Sequence, residues 1–94
     1  MDARDRYVLA EMVISAARFA AEKGEMSYAR DLYQFAISVL SPVAMAMEGL
    51  SSREQLELRE KTACLGMNAT DELAGINTRI KKRCRECFKS IFSG

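Results

Sequence analysis

One proline, Pro42, punctuates all 94 residues, and only five glycines accompany it. A fold of many short strands needs turn residues at intervals of about 8–12 positions. So little punctuation leaves long uninterrupted segments. These are filled by Ala, Leu, Met, Glu, Lys and Arg, the side chains that lose least on entering a helix. The predicted class is all-α. At this length the chain supports a single domain over residues 1–94 with one small core.

Apolar spacing divides the chain into three helical stretches. The first is predicted from about Asp5 to Lys23, with Val8, Leu9, Met12, Val13, Ala16, Phe19 and Ala20 as its buried stripe and Arg4, Glu11, Arg18 and Glu22 on its polar face. Gly24 stops it. The second is predicted from Met26 or Ser27 to Leu40, burying Tyr28, Ala29, Leu32, Tyr33, Ala36, Ile37 and Leu40. So short a link forces the two into an antiparallel hairpin. Pro42 lacks an amide hydrogen and disfavours helix at Ser41, so a break is expected there, followed by a further turn or two. Glu48 to Ser52 reads as a loop. Ser51 with Glu54, or Ser52 with Gln55, then offers a capping box for a third helix. Gly66, Asn68 and Thr70 permit a break near residues 66–70, but one continuous helix to about Ser90 is the favoured reading. The expected architecture is an antiparallel three-helix bundle: a helical hairpin plus a long third helix.

The chain contains neither histidine nor tryptophan, and histidine is the usual acid–base catalyst near neutral pH. Nor does the sequence offer a nucleophile beside a base, carboxylates paired in an apolar setting or a phosphate-binding glycine loop. A non-enzyme is predicted, with no cofactor and no metal. Cys84 and Cys87 form a C-x-x-C, yet zinc takes four ligands and Cys64 is the only other cysteine. On a helix this spacing puts two small apolar side chains on one face, and Cys64, though beside Lys61, is expected to pack. The six methionines are read as gap fillers in the core. An odd cysteine count, a charged start from Met1 to Arg6 and the absence of a long apolar run predict a cytoplasmic protein.

The segment from Ala16 to Leu40 resembles the helical hairpin of tetratricopeptide repeats and of microtubule interacting and trafficking (MIT) domains. Gly24, Ala29, Tyr33 and Ala36 carry the likeness, the glycine at the turn, the alanines where helices cross, the tyrosine between them. Leu32-Tyr33-Gln34-Phe35-Ala36-Ile37, followed by one loop and one long helix, is more similar to the MIT domain, and Arg79-Ile80-Lys81-Lys82 to its basic end. The resemblance covers about a quarter of the chain. It implies a three-helix bundle without catalysis that binds short amphipathic helices in a groove beside the third helix.

From the residues themselves, Leu73, Ile76 and Ile80 are the candidate partner-binding stripe, weighed against a plain core role. Arg79, Lys81, Lys82, Arg83, Arg85 and Lys89 form a basic patch of six cations against Glu86, a local charge of +5; with +1 overall, residues 1–78 carry −4. The expected function is an adaptor-like protein–protein interaction module that receives a partner's amphipathic helix or short peptide. Two alternatives stand beside it. One is a homodimer or larger assembly formed through the third helix, by way of Ile80, Cys87, Phe88 and Ile91. The other, ranked last, is docking of the basic end on an anionic membrane or nucleic acid.

Overall fold

The computed structural model describes residues 2–44 and 47–92, without the side chains of 44 and 87–92. Among these residues the chain forms three α-helices, α1 (Ala3–Glu22), α2 (Met26–Leu40) and α3 (Ser52–Phe92), and a single 3-10 turn over Ser41–Ala44. Each helix packs on the other two, and successive helices run antiparallel. The architecture is the expected all-α bundle.

Local chemistry explains where α1 begins and ends, where α2 ends and where α3 begins. The Asp2 carboxylate accepts the Asp5 amide hydrogen at 2.9 Å, so α1 begins two residues before the predicted start. At its other end the Glu25 amide donates to the Ala20 carbonyl at 3.0 Å and the Gly24 amide to Ala21 at 3.1 Å. That pair of bonds needs a left-handed residue, which Gly24 supplies at φ 81°. Pro42 tightens the end of α2 into the 3-10 turn, as the missing amide predicts. Of the two candidate caps, Ser51 starts α3: its hydroxyl accepts from the Glu54 amide at 3.2 Å and donates to the Glu54 carboxylate at 3.1 Å. The Gln55 side-chain amide ties down the loop by donating to the carbonyls of Met47 and Leu50. No break falls at residues 66–70; α3 runs through them for 41 residues in all.

The core is lined with small residues. Ala10, Ala17 and Ala20 of α1 and Ala29 and Ala36 of α2 are at most 3% exposed, and Ile14, Tyr33, Ala69 and Ile76 fill the space around them. This corrects the stripe expected for α1. Val8, Met12 and Phe19 are 51%, 65% and 61% exposed, on the side away from the core. The hairpin closes through the alanine face because small side chains let the two helix axes approach, and the larger residues are turned out. Tyr28 of α2 is likewise exposed, whereas the rest of its predicted stripe is buried or half-buried. Met47 is buried and Met26 packs on the core, but Met12 and Met67 face solvent, so the methionines divide between gap filling and surface; Met45 lies outside the described residues.

The molecule measures 64 × 17 × 16 Å. At about 1.5 Å per residue α3 spans that whole length while α1 covers about half of it. Polar ties mark the level of one helix against the next: Arg4 pairs with Glu54, Arg18 with Glu72, and Arg83 donates to the Gly24 carbonyl at 3.3 Å. Ile80 is the last residue of α3 packed against the core; beyond it only Arg83 and Cys84 still reach the hairpin turn, and the end of α3 projects from the bundle.

Candidate functional site

α3 lies along the hairpin, and the seams on its two sides differ in chemistry. Towards α1 the seam is charged. Arg18 grips Glu72 through two donors, Nε at 2.8 Å and Nη2 at 3.2 Å, in a cleft of about 350 Å³ that Tyr33 and Arg79 also line. Burial pushes the Tyr33 phenol above its ordinary range, with Glu72 adding to the effect and Arg18 opposing it. The hydrogen bond to Glu72 raises Arg18 in turn.

Towards α2 the seam is apolar, with a depression at each end. One, of about 420 Å³, is lined by Ile37 and Leu40 of α2 and by Ala63, Gly66 and Met67 of α3. Gly66 leaves its floor low, since a Cβ there would meet only Leu40 Cδ1, at 3.9 Å. The Thr62 hydroxyl oxygen at its edge is buried without a partner, while Thr70 donates to the Gly66 carbonyl at 2.8 Å. The other depression, of about 670 Å³, lies at the hairpin turn between Met26 and Tyr28 on one side and Ile80 and Cys84 on the other, with Arg83 above it. From Thr62 to Cys84 the seam follows α3 for about 33 Å, or six helical turns.

The predicted stripe is thus divided. Ile76 is 4% exposed and belongs to the core, with Leu73 and Ile80 packed half-buried against it. Ile76 holds α3 to the hairpin and leaves no surface for a partner, which corrects its reading as a groove residue. Ile80 lines the depression at the hairpin turn, whereas Ile76 borders only the charged cleft towards α1. Sequence reasoning missed Ile37, Leu40, Ala63, Gly66 and Met67. The available signal was the triplet of small or flexible residues on the flank of α3 beside its core stripe.

The basic patch is divided too. Arg79 joins the charged seam and Arg83 is tied to the turn, leaving Lys81, Lys82 and Arg85 exposed on the projecting helix. The side chain of Lys89 lies outside the described residues, as do those of Cys87, Phe88 and Ile91. Cys64, expected to pack, is exposed, because it falls on the outer face of α3; Cys84 is exposed as well. Among the described residues no three His, Cys, Asp or Glu side chains are grouped to hold a metal ion. None of their helices is long and apolar enough to cross a membrane.

No protein-family model matches the chain, and comparisons with curated proteins and with solved structures give no match either.

Proposed function

We propose that this protein is a non-catalytic interaction module that binds an amphipathic helix of a partner protein along the α2–α3 seam. The observation that carries the reading is the apolar lining of that seam, Ile37, Leu40, Ala63, Gly66 and Met67, with Met26 and Ile80 at the far end. A docked helix would lay its apolar residues at spacings of three and four into this lining, and Gly66 and Ala63 would admit its backbone closely. Met67 at the lip can adapt to different side chains. Charge orients the ligand: Arg83 favours an acidic C-terminal end at the hairpin turn. The MIT-like hairpin agrees with this mode of binding. A chain with no histidine suits binding better than acid–base chemistry. The exposed thiols of Cys64 and Cys84 suit a reducing compartment such as the cytoplasm.

The test is an NMR titration of isotope-labelled protein with a designed 20-residue amphipathic helix, of about the seam's length, bearing glutamates at its C-terminus. Shifts clustered at Ile37, Leu40, Ala63, Gly66 and Met67, with a Kd of order micromolar, are expected, since a groove of this size returns about 8 kcal/mol after ordering costs. Gly66→Leu, which fills the depression, should abolish those shifts. Absence of shifts at about millimolar peptide, or shifts confined to another face, would sink the proposal.

A second reading has one observation in its favour. Lys81 to Glu86 are six consecutive exposed residues, and with Arg83 held by the Gly24 carbonyl the three cations Lys81, Lys82 and Arg85 are left to a phosphate-bearing partner.

A further inference from the structure

We propose that α1 is a self-pairing helix: its outer face docks, antiparallel, on the same face of a second copy of this chain. The face is the one the hairpin turns outwards, where Val8, Met12 and Phe19 are each more than half exposed. Ser15 and Ala16, also exposed, lie between Met12 and Phe19. Asp5 precedes this stripe and Lys23 follows it, at the same three-and-four spacing, and the Lys23 ammonium lies 5.3 Å from the centre of the Phe19 ring. Both charged ends therefore belong to the apolar face.

The order of chemistry along the stripe is what identifies its occupant. From the N-terminus it runs acid, aliphatic, methionine, small, aromatic, base. Reversed about a midpoint near Ile14, Asp5 meets Lys23, Val8 meets Phe19, and Met12 meets Ser15 and Ala16. Two copies related by a two-fold axis perpendicular to α1 thus bring Asp5 of each beside Lys23 of the other. Val8 of each lies on Phe19 of the other, and each methionine goes into the gap left by the small residues. The charge pairing occurs twice, once at each end of a contact about 30 Å long. Within one chain Asp5 and Lys23 are separated by that same length of helix and cannot pair. A parallel arrangement would set Asp5 on Asp5 and Lys23 on Lys23, so charge also chooses the direction. The projecting end of α3 is a poorer site for a second copy, because its exposed Lys81, Lys82 and Arg85 would face one another. The α1 face shares no residue with the lining of the α2–α3 seam, so a dimer formed in this way leaves that seam open.

Sedimentation at about 100 µM tests the proposal, since a modest contact is populated at that concentration. The unaltered chain is expected to sediment as a dimer and Phe19→Ser as a monomer, with unchanged helical circular dichroism because Phe19 is outside the core. Asp5→Lys or Lys23→Asp alone should weaken association about tenfold, as two attractive pairs become two repulsive ones. The double variant Asp5→Lys/Lys23→Asp should regain the dimer. Both changes oppose the dipole of α1, so recovery cannot come from a better helix. A monomer in the unaltered chain overturns the proposal. So does a dimer indifferent to Phe19→Ser or to the single charge reversals, or one that the double variant fails to restore.

Discussion

Ala29 and Ala36 are both 0% exposed, yet each contributes only a methyl group to the core. What they supply is closeness, because a larger side chain at either position would hold α2 away from Ala10, Ala17 and Ala20. Replacing either with leucine inserts three carbons into a filled seam and should cost about 1–3 kcal/mol. Gln34, one residue from Tyr33 but on the solvent side, should tolerate alanine within about 0.5 kcal/mol. Urea denaturation midpoints compare these variants directly, and similar midpoints for A29L, A36L and Q34A would contradict the alanine seam. Arg30 is half-buried and its Nε lies 3.5 Å from the Asp31 carboxylate, so it makes a poorer control than Gln34.

α3 is capped at its N-terminal end by Ser51 and carries two internal glycines that differ in surroundings. Ser51→Ala removes the acceptor for the Glu54 amide and should lower stability by about 1 kcal/mol. Gly75→Ala should raise it by about 0.5–1 kcal/mol, since a Cβ there meets nothing within 4 Å and the unfolded chain loses freedom. Opposite shifts of the thermal midpoint are the expected result. Glycine retained mid-helix at such a cost is legible in the sequence only as a candidate break. The packed structure spans both because Leu65 and Ala69 bind α3 to the hairpin on either side of Gly66, and Leu73 and Ile76 do so on either side of Gly75.

At the scale of the molecule, unequal helix lengths matter most. A 20-residue α1 and a 15-residue α2 cannot cover a 41-residue α3, so its C-terminal end stands free with Lys81, Lys82 and Arg85 exposed. If that end engages phosphates, affinity for a single-stranded oligonucleotide probe should fall with salt. Three such cations give a slope of about −2 in log affinity against log salt. Fluorescence anisotropy over a salt series measures it; a flat profile would remove the second functional reading, and anionic vesicles tested in parallel separate a lipid surface from nucleic acid.

Composition along the chain was enough for the helical class, and the hairpin turn at Gly24, the break at Pro42 and the start of α3 were legible because each rests on chemistry within four residues: a left-handed glycine, a missing amide, a cap. Periodicity also identified Ala29, Tyr33 and Ala36 as residues facing other helices. It did not determine which side of α1 turns inwards. That helix has two apolar faces, one of large residues at Val8, Met12 and Phe19, the other of small ones at Ala3, Ala10 and Ala17 with Ile14 between them. Hydrophobicity alone favours the larger. The smaller face is the one buried, since burial there depends on how near α2 and α3 can come, a property of three helices together that no single helix encodes. The α2–α3 seam was hidden for the same reason: its lining comes from residues some 25 positions apart in the chain, brought side by side only when the bundle closes.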